Sequence, residues 1–262
     1  MHALEQWQPA APIIGLLTDI DDTLTTEGTV PAQVIEAMAA LKAQGLAIIP
    51  ITGRPVGWSV PFAQAWPVDA LVAENGAVAL RRRADGGLDK LYQQDAATRS
   101  ANYTRMQQVL AQIEAEVPGA LRATDSAGRE CDIAVDHSEF TQLSQVQIAA
   151  CVRIMQAAGM HATVSSIHIN GWFGTHNKFE GARWMVRTLW GRTLEAEIDQ
   201  WCYIGDSTND QLMFQHFANS FGVANIARFV PQLSHLPRYV TRGERGAGFV
   251  ELAERLCAMA SK

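Results

Sequence analysis

Short apolar runs that end abruptly in polar loops constrain this chain most. Residues 13–18 (IIGLLT), 46–51 (LAIIPI), 70–73 (ALVA) and 201–205 (WCYIG) are of this kind. Such runs, bounded by turn signals, have the length of strands buried on both faces, the environment of a parallel sheet. Between the first two lies PAQVIEAMAALKAQG, where Val34, Met38 and Leu41 recur at helical spacing. Pro31 suits a first helical turn and Gly45 the position just past the end. A short helix is expected within 55–65. The order strand, helix, strand, helix, strand predicts crossover connections and a parallel sheet.

The pattern then changes. RRRADGGLDKLY reads as a hairpin with Gly86-Gly87 at its turn. Residues 98–117 carry Tyr103, Met106, Leu110, Ile113 and Val117 along one helical face. CDIAVD at 131–136 alternates like a half-buried strand, a helix is expected over about 142–158, and 161–170 reads as one further strand. The α/β order resumes with a helix over 178–190, the strand 201–205, a helix near 209–217, short strands at 220–224 and 239–241, and a last helix over about 247–260. The prediction is an α/β fold with a Rossmann-like parallel-sheet core, residues 1–81 and 173–262. An α+β cap over 82–172 interrupts it.

Composition narrows the function. With 48% hydrophobic and 18% charged residues, the 262-residue chain has ordinary globular composition, which excludes disorder as its main state. A formal net charge of −6 argues against a nucleic-acid partner. No stretch reaches the ~18 uninterrupted apolar residues of a membrane span. The N-terminus lacks the basic segment of a signal peptide. The four cysteines form no Cys-x-x-Cys pair, which suits buried thiols in a reducing compartment. A cytoplasmic protein with no membrane partner is expected.

Four segments carry chemistry. Asp19-Ile20-Asp21-Asp22-Thr23 follows the first strand. Three acids in four positions repel one another, and a hard cation bound by oxygens, Mg²⁺ by this chemistry, relieves that repulsion. Thr52-Gly53-Arg54 ends the second strand, where a hydroxyl and backbone N–H groups can seat a phosphate. Lys178 opens a helix, where its charge opposes the helix dipole; a bound anion would account for it. Gly205-Asp206-Ser207-Thr208-Asn209-Asp210 brings further carboxylates to a strand end. Singly, each has an ordinary reading as a cap, a loop or a solvated side chain. Together they fall on one edge of a parallel sheet, where open α/β sheets bind ligands.

In that order, Asp-x-Asp-x-Thr, Thr-Gly-Arg, Lys and Gly-Asp-x-x-Asn-Asp resemble the haloacid dehalogenase (HAD) superfamily of aspartyl-phosphate phosphohydrolases. An insertion between the threonine and lysine motifs, preceded by Glu74-Asn75-Gly76, is similar to the type-2 cap of the Cof-like and sucrose-phosphatase-like branch. The resemblance implies Asp19 as nucleophile and Asp21 as general acid and base. It implies Mg²⁺ held by Asp19, the Asp21 carbonyl and Asp206, with Asp210 or Asn209 completing or orienting the shell. Thr52, Gly53 and Lys178 would hold the phosphoryl group, with Asn209 beside them. Asp22 departs from the pattern, since many members have glycine there. The retained Asp21 favours ester hydrolysis over dehalogenation or phosphonate cleavage.

The expected function is therefore Mg²⁺-dependent hydrolysis of a small phosphorylated metabolite, a sugar phosphate by analogy of cap type. A phosphomutase of the same fold and a catalytically idle binding protein are the alternatives. Arg81–Arg83 reads as a solvated hairpin arm, Trp184 and Trp190 as core, and His168 as a solvent-facing residue of the last cap strand. Asn170, His176 and Arg54 are further cleft candidates.

Overall fold

The computed structural model describes residues 1–260. In chain order its first part comprises β1 (His2–Ala3), β2 (Gly15–Thr18), α1 (Ala32–Ala43), β3 (Ala47–Pro50), α2 (Val56–Ala65), β4 (Leu71–Ala73), β5 (Val78–Arg82) and β6 (Leu88–Tyr92). The middle comprises α3 (Ala96–Glu116), β7 (Leu121–Arg122), β8 (Ile133–Asp136), α4 (Gln145–Ala157), β9 (His161–Val164) and β10 (His168–Trp172). The last part comprises α5 (Lys178–Trp190), β11 (Trp201–Gly205), α6 (Gln211–His216), β12 (Asn219–Gly222), β13 (Tyr239–Val240) and α7 (Arg245–Ala260).

Six strands form a parallel sheet in the order β1-β13-β12-β11-β2-β3. Alternation within the apolar runs serves both faces. Leu16, Ile48, Cys202 and Ile204 point into one core with Val34, Met38 and Leu41 of α1 and Phe249, Leu252 and Leu256 of α7. Leu17, Ile49 and Tyr203 point into another with Ala182, Met185 and Val186 of α5 and Met213 and Phe214 of α6. Helices thus cover both faces, as the unbroken apolar runs require. The two-residue β1, pairing in parallel with β13, has no hydrophobic signature of its own.

The expected hairpin is present, and it extends the core. β5 pairs antiparallel with β4 and β6, while a bridge between Ile51 and Val72 joins β4 in parallel to the end of β3. Residue 82 falls inside this hairpin, so we propose a cap boundary after β6, at α3, in place of 82. The cap sheet has the order β7-β8-β10-β9, with antiparallel pairing throughout. α3 and α4 pack on it through Met106, Leu110, Ile113, Ile148, Cys151 and Met155. The single strand expected over 161–170 is in fact two, β9 and β10, folded back at 165–167. There Ser165 Oγ accepts from the His168 N–H at 3.0 Å, a local turn that the alternation conceals.

A close approach at the root of the cap fixes where the chain returns. Gly76 has φ +106°, and a Cβ there would lie 2.2 Å from the Asn177 carbonyl oxygen. Asn177 caps α5, its Oδ1 accepting from the Glu180 N–H at 2.9 Å. The glycine lets α5 begin against the end of β4, beside the strand ends of the core. Gly76→Ala is expected to destabilise the protein by at least about 2 kcal/mol, through a disfavoured backbone and a clash that must be relieved; urea denaturation measures it.

Burial holds His176 down to about 4, with His161 adding to the effect. A histidine whose folded pKa lies below its unfolded value contributes stability above pH 6.5, lost as pH falls toward 4. The thermal midpoint should therefore drop over that window more steeply in the wild-type protein than in His176→Leu.

Candidate active site

Three loops meet at the C-terminal edge of the core sheet. Asp19 follows β2, Asp206 and Asp210 follow β11, and Lys178 starts α5. Adjacent pairing of β2 with β11 brings the two acidic loops together. One ligand atom from each of Asp19, Asp206 and Asp210 lies within 4.8 Å of the others. Asp19 is 4% exposed, and Asp206 and Asp210 are fully buried.

Lys178 Nζ donates to Asp19 Oδ1 and to Asp210 Oδ1, both at 2.6 Å. These carboxylates hold the ammonium above its ordinary pKa despite burial. The helix-opening lysine is thus neither solvated nor misplaced, because its charge is met inside the fold. Asp210 Oδ1 also accepts from the Tyr203 hydroxyl at 2.5 Å, and its Oδ2 takes the N–H groups of Asp206 at 2.9 Å and Ser207 at 3.1 Å. Burial, and then the Asp210 charge, push the Tyr203 phenol well up, so it remains a donor. Tyr203 reads in the sequence only as a residue of a buried strand.

Burial pushes the Asp19 carboxyl up to about 7 against the pull of Lys178, with Asp210 and Asp21 pushing the same way. Burial and the charges of Asp19 and Asp210 push Asp206 well above the usual carboxylate range. Asp206 Oδ1 is buried without a hydrogen-bond donor. A buried carboxylate oxygen with no donor, beside a second carboxylate, fits a hard cation. The donor set therefore fits a divalent metal held by Asp19 and Asp206. Asp210, with both oxygens already taking donors, fits the orienting role, and Asn209 Oδ1 accepts from Ser207 Oγ at 2.9 Å in the same loop.

Thr52 is buried at the end of the β3 segment, where its Oγ1 accepts from the Arg54 N–H at 2.9 Å. The Gly53 carbonyl accepts from Arg129 Nη1 at 2.9 Å and from Asn170 Nδ2 at 3.3 Å, both cap residues. Arg54 donates Nε to Asp21 Oδ1 at 2.9 Å and Nη2 to Glu139 Oε1 at 2.7 Å. His168 is not solvent-facing: at 2% exposure it sits in the seam, with Nε2 2.9 Å from Glu139 Oε2 and Nδ1 3.4 Å from Arg129 Nη2. His168 does lie opposite Ile169, but that face of the cap sheet is covered by the seam with the core rather than by solvent. Asp125, Arg129, Asp132 and Glu139 carry no motif, and only tertiary folding reveals them.

Asp22 adopts φ +55°, the left-handed region where glycine is easiest. Its carboxylate pairs with Arg228 at 2.7 Å and Arg245 at 3.1 Å, which helps offset that strain. A cleft of 570 Å³ opens between core and cap, lined by Asp21, Asp22, Arg54, Glu139, Arg228 and Arg245 among others.

A parallel core with carboxylates gathered at one sheet edge, interrupted by an inserted cap, defines a capped α/β fold. The family model of the haloacid dehalogenase-like hydrolases matches residues 16–137, the first part of the core and much of the cap. No curated protein matches the chain. Among solved structures it is similar to a protein of Thermoplasma acidophilum, at 15% identity, TM-score 0.70 and coverage of 94% of this chain and 99% of that one. The sucrose-phosphatase of Synechocystis, solved with sucrose and phosphate, shows 15% identity and TM-score 0.67, covering 94% of this chain and 98% of its own. A putative HAD/COF-like hydrolase of Plasmodium vivax shows 17% identity and TM-score 0.68, covering 95% and 97%. At these identities the likeness is one of fold, and it extends across core and cap together. No helix among the described residues is long and apolar enough to cross a membrane.

The raised pKa of Asp19 has a measurable consequence. Its folded value of about 7 exceeds the ordinary 3.8, so its contribution to stability is present at low pH and lost as pH rises through 7. A cation and protons compete for the same oxygens. The gain in thermal midpoint on adding Mg²⁺ should therefore be larger at pH 8 than at pH 6, and absent in Asp206→Asn.

Proposed function

We propose that the protein is a Mg²⁺-dependent phosphatase that hydrolyses a small phosphorylated metabolite, a sugar phosphate, through an aspartyl-phosphate on Asp19. The observation that carries this reading is the buried cluster of Asp19, Asp206 and Asp210 around one lysine, with a donorless Asp206 oxygen; Asp19 shares its loop with Asp21, which lines the cleft between core and cap. The sugar-phosphate assignment is supported by likeness to the sucrose-phosphatase and to a structure described as a subclass IIB sugar phosphatase.

In this reading Asp19 attacks phosphorus as the ester P–O bond breaks, and Asp21 gives its proton to the departing alkoxide. Asp21 then takes a proton from the water that attacks the aspartyl-phosphate, which returns Asp19 and releases phosphate. Lys178, held 2.6 Å from Asp19, stands where its ammonium can meet a phosphoryl oxygen as charge shifts onto it. Thr52 and the Gly53 N–H would bound the same group from the β3 side. A metal held by Asp19, the Asp21 carbonyl and Asp206 would supply positive charge to offset the negative charge of the phosphoryl oxygens. Asp19 is only 4% exposed, which limits the access of bulk water to the reacting oxygen.

Phosphate release from a panel of metabolites and p-nitrophenyl phosphate tests the reading. Activity should require Mg²⁺, disappear with EDTA and fall to background in Asp19→Asn. Lys178→Met should lower kcat on the order of 10²–10³-fold, as loss of one transition-state donor does. Acid-quenched enzyme should carry a hydroxylamine-sensitive phosphoryl group. Isomerised hexose phosphate with little free phosphate would indicate the mutase instead, and no turnover across the panel the idle binder.

A further inference from the structure

Arg54 is 7% exposed and lies between the core acid loop and two cap carboxylates. Its Nε holds Asp21 at 2.9 Å, Nη1 reaches Asp125 at 3.3 Å and Glu139 at 3.4 Å, and Nη2 reaches Glu139 at 2.7 Å. Its flat face lies 5.1 Å from the centre of the Trp58 ring. A guanidinium is a rigid planar fork, so a shift of the partners on one edge turns the donor on the other.

The cap side of this bridge is itself fixed. Glu139 sits in a loop wrapped on the Asp136 carboxylate, which accepts the N–H groups of Ser138, Glu139, Phe140 and Thr141. His168 holds its second oxygen at 2.9 Å. Burial pushes the Glu139 carboxyl up, but the bonds from His168 and Arg54 outweigh it and bring it down to about 2. Asp125 is held by Arg129, which also grips Asp132 at 2.8 Å. Asp21, Arg54 and Glu139 all line the 570 Å³ cleft, where a departing group would sit.

We propose that Arg54 and Glu139 form a positioning pair through which the seating of the cap sets the orientation of the Asp21 carboxylate. With the cap seated, Glu139 and Asp125 hold the guanidinium plane, and that plane holds Asp21. With the cap lifted, the outer partners leave and Arg54 is no longer confined. The acid is thus aligned only while the cap covers the cleft. This rests on the phosphatase reading above, in which Asp21 serves the leaving group.

Leaving-group dependence tests it, because p-nitrophenolate departs without a proton and an alkoxide does not. The kcat and KM of wild type, Glu139→Ala, Glu139→Gln and Asp125→Asn are measured with Mg²⁺ on p-nitrophenyl phosphate and on glycerol 2-phosphate, or on the alkyl phosphate fastest in the panel. In Glu139→Ala the alkyl-to-nitrophenyl ratio of kcat should fall about tenfold, a fraction of what a general acid contributes. Glu139→Gln, which keeps an acceptor for Arg54, should recover part of the ratio. Should Glu139→Ala fail to fold by circular dichroism, the ratio in Asp125→Asn decides, with a fall expected there too. An equal loss on both substrates, or no loss, overturns the pair. A wild-type enzyme inactive on every phosphate overturns the phosphatase reading and the pair with it, whereas an active wild type with an unchanged ratio in the variants overturns the pair alone.

Discussion

The buried ammonium of Lys178 is the constraint on which the site depends. Taking one charge out of water costs several kcal/mol unless partners meet it inside. Here the partners come from two distant segments, Asp19 after β2 and Asp210 after β11, each 2.6 Å away. The lysine itself arrives on α5, after the chain has left the core to build the cap. One ion cluster therefore ties the two halves of the interrupted core at the sheet edge. The Tyr203 hydroxyl and two backbone N–H groups complete Asp210, so that residue can hold the lysine without itself being drawn toward a ligand. Asp206 is left with the donorless oxygen, and the cluster carries more acid than base, an imbalance that a divalent cation resolves.

The cap meets the core differently. Most of its apolar residues form a core of their own around Met106, Ile113, Cys151 and Ile169, while Cys131 joins one of the two that flank the central sheet. The seam between them is largely polar. Glu74, buried at the end of β4, accepts N–H groups from Val56 in the core and from Glu130, Cys131 and Asp132 in the cap. Thr208 donates to the Val164 carbonyl, and Arg129 and Asn170 hold the Gly53 carbonyl. Water can replace hydrogen bonds of this kind at modest net cost, whereas separating two packed apolar faces carries the full hydrophobic penalty. A polar seam is what a cap that lifts and reseats requires.

What the sequence discloses and conceals divides along the same line. Core strands were legible because burial on both faces leaves no polar positions in them, as in LAIIPI, and the long cap helix because Met106, Leu110 and Ile113 keep helical spacing. The acidic loops were legible because parallel strands deliver their ends to one edge whatever lies between. The fold-back at 165–167 was not, because serine suits either an alternating strand or a turn. The burial of His168 was hidden for another reason: its face of the cap sheet is covered only when the cap meets the core. The hairpin's allegiance was equally hidden, since the Ile51–Val72 bridge that ties its partner β4 to the β3 segment is a long-range fact of register. Glu139 and Arg129 belong to no motif, and their place in the seam comes only from the folding of the cap onto the core.

Asp22 shows how a departure from a motif can leave the motif's geometry intact. The loop after β2 must turn sharply to present Asp19 and Asp21 together, and φ +55° at residue 22 is part of that turn. Glycine meets it without a Cβ; a non-glycine residue there costs on the order of 1–2 kcal/mol. Here the added carboxylate is engaged by Arg228 and Arg245, and the Asp22 carbonyl accepts from Asn225 Nδ2 at 3.0 Å. Arg228 also lies 3.2 Å from Asp206, so the same guanidinium balances the extra charge and borders the carboxylate cluster. The third acid of the loop is thus paired outside the Asp19, Asp206 and Asp210 cluster. The repulsion inferred from three neighbouring aspartates is therefore met in two places, by Arg228 and Arg245 at Asp22 and by the lysine at Asp19.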